Sequence, residues 1–410
     1  MKRLIVLNRY FFPDHSATSQ ILSDLMFHLA GTGVDAHVVT SRQLYNDAHK
    51  QLPAEEIING VSIHRLSTTK FGRSGLAERA IDYLSFYASA RSFLRSRLEP
   101  GDVLVAMTDP PLISIIAMHA AQRSGAHLVN WLQDIYPEVA VELGVPFLKG
   151  PLAAGISHFR DRSLKTAALN VVVGQTMVEK LVARGVAASR VVTIPNWTDD
   201  EEIVPVPAAD NPLRREWGLN DKFVVGYSGN LGRAHEFDTI LAASEILRDD
   251  PRFVFLFIGN GHRLEELAAA VRTRGLEPHF RFVPYQARTQ LKDSLGVADV
   301  HWLSLKPELE GLIVPSKFYG IAAAGRPVIA ITAPDGEIAR LVQENDCGLV
   351  IAPGQAAELA TQLKRLSTDD ELLETMGKNA RAMLDAGFTR RQAFSRWDAV
   401  LTEITTEASR

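Results

Sequence analysis

The chain has a single cysteine, Cys347, so it can form no internal disulfide and no cysteine-based metal cluster. It also lacks a long apolar run. Stretches free of Asp, Glu, Lys and Arg, such as Pro110 to Gln122, reach about a dozen residues, short of the roughly 18 a spanning helix needs. Met1 to Asn8 enters a strand pattern at once and shows no apolar signal region with a small-residue cleavage site. No strongly basic domain is present: the net charge is −4, with 20 Lys+Arg against 18 Asp+Glu over 1–200 and 24 against 30 over 201–410. That excludes the usual nucleic-acid signature. At 46% hydrophobic and 22% charged, the composition excludes disorder and fibres. A cytoplasmic chain of 410 residues, too long for one core, is expected to fold as two domains.

Strand and helix patterns alternate along the chain. Leu4–Leu7, His37–Thr40, Val103–Ala106, His127–Asn130 and Asn170–Val173 are short buried-strand candidates with amphipathic stretches between them. The rhythm restarts at Phe223–Tyr227, Val254–Ile258 and Pro327–Ile331. Such alternation implies parallel strands with helical crossovers. The acidic stretch from Pro195 to Pro212 reads as a linker. The expected architecture is α/β: two doubly wound, Rossmann-like domains facing across a cleft. The boundaries are 1–200 and 201–390, with a C-terminal helix over 391–410 that returns to the N-terminal domain.

The loop Asn8–Gln20 holds aromatics, Asp14 and His15 but no glycine, so it is not a dinucleotide fingerprint. A P-loop pattern is also missing. The second half opens with Gly229-Asn230-Leu231-Gly232-Arg233-Ala234-His235, where glycines allow close backbone approach and Arg233 and His235 offer cationic or donor groups. Glu310-Gly311 and Ser316-Lys317, ahead of a small-residue helix, add a carboxylate, a hydroxyl and an ammonium. Together these loops suit a nucleotide diphosphate.

In order and spacing, these motifs resemble a GT-B glycosyltransferase of glycosyltransferase family 4, in the bacterial cell-surface polysaccharide branch. The resemblance rests on the aromatic-Pro-Asp first loop, Trp131–Glu138, Ile194-Pro195-Asn196, Gly229–Arg233, Phe257–Gly261, and Pro315-Ser316-Lys317 through Ala324–Val328. It implies an acceptor-binding N-terminal domain and a C-terminal domain that binds a nucleotide-sugar, UDP-linked by family frequency. Retaining transfer to a lipid-linked or saccharide acceptor is implied, with no cofactor. No Asp-x-Asp pair occurs, so metal independence is expected, with Arg, Lys and helix N-termini neutralising the departing diphosphate.

On this reading Asp134, Glu310 and His15 are the catalytic candidates. Gly229, Asn230, Gly232, Arg233, His235, Gly259, Ser316 and Lys317 are the donor-binding ones. The family's usual pair of glutamates eight residues apart falls near Leu312 and at Gly320, with Glu310 two residues early, and its usual Arg and Lys fall at Asn230 and His235. A sugar-nucleotide epimerase of the same fold and a non-catalytic nucleotide-sugar-binding subunit are the alternatives. Asp134 also reads as a turn former, Glu310 as a solvated loop residue, His301 as a satisfied core histidine and Cys347 as buried structure.

Between 65 and 97, Arg65, Lys70, Arg73, Arg79, Arg91, Arg95 and Arg97 face only Glu78 and Asp82. This basic segment is the expected contact with an anionic membrane surface, at the inner face of the cell membrane. A surface helix packed on its own domain is the plainer reading.

Overall fold

A computed structural model describes residues 2–45, 50–71, 75–145 and 150–407. It divides into two units, Met1–Pro195 with Ala393–Arg410, and Asn196–Gln392.

The first unit begins with β1 (Leu4–Leu7), α1 (Ala17–Gly31), β2 (Ala36–Ser41), β3 (Glu55–Ile58) and β4 (Val61–Leu66). It continues through α2 (Leu76–Arg97), β5 (Val103–Ala106), α3 (Ile113–Ser124) and β6 (His127–Leu132). Then come α4 (Glu138–Glu142), α5 (Gly150–Thr166), β7 (Leu169–Val172), α6 (Gln175–Ala183) and β8 (Val191–Thr193). The sheet order is β3-β4-β2-β1-β5-β6-β7-β8, parallel except for β3. β1 and β5 are apolar at every position because helices cover both faces. The β3–β4 hairpin alternates instead, and its Asn59-Gly60 turn takes positive φ at both residues, 48° and 81°.

The second unit holds α7 (Pro212–Glu216), β9 (Phe223–Asn230), α8 (Asp238–Ile246), β10 (Phe253–Asn260), α9 (Leu264–Thr273) and β11 (Phe280–Val283). After α10 (Leu291–Gly296) follow β12 (Val300–Ser304), α11 (Lys317–Ala323), β13 (Val328–Ile331), α12 (Glu337–Glu344) and β14 (Gly348–Ile351). α13 (Ala356–Leu366) and α14 (Asp370–Gly387) lead to α15 (Arg390–Glu407). The sheet is all parallel, in the order β11-β10-β9-β12-β13-β14. From Ala393 the chain belongs to the first unit, where Trp397 packs edge-on against Trp131 at 4.7 Å and Phe394 stacks on His28 at 4.4 Å.

The structure redraws the basic segment. Arg65 is buried, pairs with Glu56 and donates to the Phe12 carbonyl at 2.9 Å, so it belongs to the fold's interior. Asp82 is buried with Arg9 at 3.5 Å, and Arg79 is half-buried. Arg73 lies outside the described residues. The cations that reach solvent along α2 are Arg91, Arg95 and Arg97. His301 is buried with Nε2 on the Leu295 carbonyl at 2.8 Å, and Cys347 is buried with its thiol pushed up to about 11 by desolvation.

Candidate functional site

In the second unit β9 pairs on one side with its successor β10 and on the other with β12. This reversal is a topological switch point, and ligands of open parallel sheets bind outside the strands' carboxyl ends there. Gly229 and Gly259 are register partners at that edge, with φ of 130° and 141°. A Cβ on Gly259 would stand 2.2 Å from the Gly229 carbonyl oxygen, so only glycine lets the two strand ends close up. Beyond them Gly232 is half-buried, and Arg233 is exposed with no hydrogen bond or ion pair among the described residues.

Lys317, the first residue of α11, points back to this edge. Its Nζ contacts the Tyr227 hydroxyl, the Asn230 carbonyl at 3.4 Å and His235 Nε2 at 3.3 Å, and lies 4.0 Å from the Tyr227 ring centroid. His235 Nδ1 sits 2.6 Å from the Ser304 carbonyl, which can only accept. Nδ1 therefore carries the proton and Nε2 offers its lone pair to the ammonium. Burial, followed by the Lys317 charge, holds His235 down to about 3. Burial alone holds Lys317 down to about 7. Its partners are neutral: no carboxylate among the described residues pairs with it. Asn230 contributes its backbone carbonyl here, and Ser316, at the N-cap of α11, makes no side-chain capping bond.

Glu310 lies in the loop after β12, at the same carboxyl edge of the sheet but toward β13. Its carboxylate accepts the Thr332 hydroxyl and the Glu337 backbone N–H at the first turn of α12, and packs against Gly336. Desolvation raises its pKa, and those two hydrogen bonds offset only part of the rise. It is a half-buried group engaged at a helix N-terminus. Leu312 is buried, and a Cβ on Gly320 would meet only Leu295 Cδ1 at 3.6 Å and Thr198 Oγ1 at 3.8 Å. Crowding at that first atom does not explain the missing glutamate.

In the first unit the switch point lies between β1 and β5. The β1 loop is tied to the β5 loop by Arg9 N–H to the Asp109 carbonyl at 2.6 Å. Asp134 follows the neighbouring β6, and its side chain makes no hydrogen bond among the described residues. It lines a cavity of about 20 Å³ with Thr108, Asn130, Tyr136 and Arg160, room for one water. Desolvation, followed by the nearby Asp109 charge, pushes its carboxyl up to about 7. Burial likewise pushes the Tyr83 hydroxyl up to about 12. His15 is exposed, and its side chain bonds nothing among the described residues; its loop is fixed through Asp14, which accepts the Ser16 N–H at 2.8 Å.

The structure thus brings Gly229, Asn230, His235, Gly259 and Lys317 to one edge of the second unit. Sequence reasoning missed Tyr227 and Ser304, which shape the Lys317 surroundings, and Asp109, which bears on Asp134. The first two looked like ordinary strand residues, and Asp109 carried only the signal of closing an apolar strand.

Two family models match the chain in succession, one described as "Glycosyl transferase 4-like domain" over residues 17–197 and one as "Glycosyl transferases group 1" over residues 210–383. The chain is a GT-B glycosyltransferase. It is 28% identical over 321 residues to the probable glycosyltransferase WbjE of Pseudomonas aeruginosa, covering 77% of this chain and 78% of that one. A putative colanic acid biosynthesis glycosyl transferase of Escherichia coli K12, WcaI, is 30% identical over 54% of this chain and 55% of its own. The fold of this glycosyltransferase matches the crystal structure of Anabaena Alr3699/HepE in complex with UDP, at 16% identity and a TM-score of 0.72, over 98% of this chain and 100% of that one.

Proposed function

We propose that this glycosyltransferase moves a sugar from a UDP-sugar to a saccharide or lipid-linked acceptor in surface-polysaccharide synthesis, with retention and without a metal. The observation that carries the reading is Lys317. A half-buried, partly desolvated ammonium without a counter-charge is costly, and an incoming diphosphate supplies the missing anion. Arg233, exposed in the loop between Asn230 and His235, adds a second cation. The UDP complex of the Anabaena neighbour and the colanic acid relative support the donor class and the pathway.

In the reaction the bond from the anomeric carbon to the diphosphate oxygen breaks, and the acceptor oxygen bonds that carbon on the same face. The acceptor proton passes to the departing phosphate. Lys317 and Arg233 stabilise charge building on the leaving group, and Asp134 either orients the acceptor hydroxyl or stabilises developing positive charge.

A thermal-shift screen of UDP-, GDP-, ADP- and dTDP-sugars tests the donor. A ligand at a hundred times its Kd stabilises by about 2.7 kcal/mol, which is readily read. UDP-sugars alone are expected to shift the melting temperature; a shift with another nucleotide only overturns the UDP assignment. Product analysis with EDTA present tests the rest: a transferred sugar with its anomeric configuration kept supports the reading, whereas free epimerised nucleotide-sugar overturns it.

A further inference from the structure

At the outer edge of the first sheet, four titratable side chains form one line. His37 stands on β2, His64 on β4 and Glu55 on β3 directly opposite His64, and Asp35 immediately precedes β2. His37 Nε2 lies 3.0 Å from Asp35 Oδ1, and His37 Nδ1 lies 3.2 Å from His64 Nε2. His64 Nδ1, which is buried, stands 3.5 Å from Glu55 Oε1. The two ring planes are within 5° of each other and their centroids are 5.5 Å apart. With the nitrogens 3.2 Å apart, that is about the largest separation two imidazoles can have, so the rings meet edge to edge in one plane. This is the geometry of an N–H···N hydrogen bond and not of stacking.

Proton counting gives the pair its charge. Carboxylates only accept, so each outer nitrogen carries a proton, and the inner contact needs one more. Three protons over four ring nitrogens mean one imidazolium and one imidazole. With two protons, one contact lacks its hydrogen; with four, two N–H groups face each other. Desolvation holds His64 below the ordinary histidine range against the hydrogen bond from Glu55, and the charges of His37 and Arg97 add to the fall. His64 is thus the neutral acceptor at the inner contact. Phe93 of α2 covers its ring at 5.0 Å, and Arg3, ahead of β1, bears on Asp35. Glu56 and Arg65, the chain neighbours of Glu55 and His64, point to the opposite face and pair with each other.

We propose that His37 and His64 hold one shared positive charge that clamps the β3–β4–β2 edge shut, and that removing or doubling this charge opens it. The edge has little else to hold it. β3 is four residues long, and Ile57 is 74% exposed, so the strand contributes little apolar burial and belongs to the part of the fold that opens first. Below about pH 5 the opened edge holds two protons where the closed pair holds one. Above about pH 8 the opened edge holds none and the closed pair still one. Protection of the edge therefore rises with pH in acid, peaks near about 6.5 and falls in base.

Hydrogen exchange of the full chain between pH 5 and 9, corrected for the chemical exchange rate, tests this on the peptide Glu55–Leu66. Protection in wild type is expected to peak near about pH 6.5 and to fall about tenfold on either side, the value of one charge-assisted hydrogen bond. At the peak, His37→Gln and His64→Gln should each lose about tenfold, and the double variant should lose no more than either alone, because the bond is already gone. Nitrogen NMR of histidine-labelled wild type, which needs no variant, should show at that pH one pair of rings carrying three protons between them. A flat wild-type profile, a profile shared by the control peptide Phe253–Asn260 of the second unit, additive losses in the double variant, or a spectrum without such a pair each overturns the proposal.

Discussion

Lys317 Nζ lies 3.3 Å from Nε2 of a histidine that burial keeps neutral. The ammonium is thus surrounded by acceptors that carry no charge, and its own proton is held loosely. That arrangement makes the nucleotide site sensitive to pH.

Nucleotide affinity is expected to fall as pH rises above about 7. The ligand-free lysine is held down to about 7, so above that pH it must take up a proton to meet the diphosphate. The terminal phosphate, with a second pKa near 6, is already ionised there. The dissociation constant of UDP should rise about tenfold per pH unit between 7.5 and 9. Calorimetry across that range checks it, and Lys317→Arg should flatten the slope because guanidinium does not deprotonate. The sign for stability is opposite: between 7 and 10.5 the unfolded chain binds the extra proton, so the ligand-free protein should gain stability as pH rises.

Asp134→Asn separates activity from stability. The native carboxyl is pushed up to about 7, so the folded state holds a proton that the unfolded chain has lost between about 4 and 7. Stability contributed by this group is present at low pH and lost as pH rises through 7. Asparagine removes that penalty, and the variant should melt at a higher temperature than wild type at pH 8. Turnover should fall about tenfold to a thousandfold. Full activity in a folded variant reduces Asp134 to a turn former.

Glu310 is expected to behave as a positioning residue. Glu310→Gln keeps an acceptor for the Thr332 hydroxyl and the Glu337 N–H. It should keep kcat within about threefold, whereas Glu310→Ala should cost about 1–2 kcal/mol of stability in denaturant unfolding. A loss of kcat above a hundredfold in the glutamine variant, with an unchanged melting temperature, would instead make the carboxylate catalytic.

Much of the fold was legible from apolar runs. The strand Val103–Ala106 has the bounds read from sequence, because strands buried on both faces are written as unbroken hydrophobic stretches. The β3–β4 hairpin was missed because Glu55–Ile58 sits at a sheet edge and is half solvated, although Asn59-Gly60 is a strong turn signal. Gly229, Gly259 and Lys317 were legible as loop chemistry, since backbone approach and a cation leave marks in sequence. Arg65 was not. Its charge suggested surface, and the pairing with Glu56 and the bonds to the Phe12 and Pro53 carbonyls account for its burial. Glu310 carried the family's carboxylate signal two residues early, and the three-dimensional position of Thr332 decided its partner.

The most direct test is UDP binding by calorimetry to wild type and to Lys317→Met, a substitution that keeps the length of the side chain and removes its charge. A charge-assisted hydrogen bond contributes about 1.5–3 kcal/mol, so the variant should bind UDP about tenfold to a hundredfold more weakly, with its melting temperature in the absence of nucleotide maintained or raised. Unchanged UDP affinity in the folded variant would contradict the account, because the Lys317 ammonium would then have no part in holding the diphosphate.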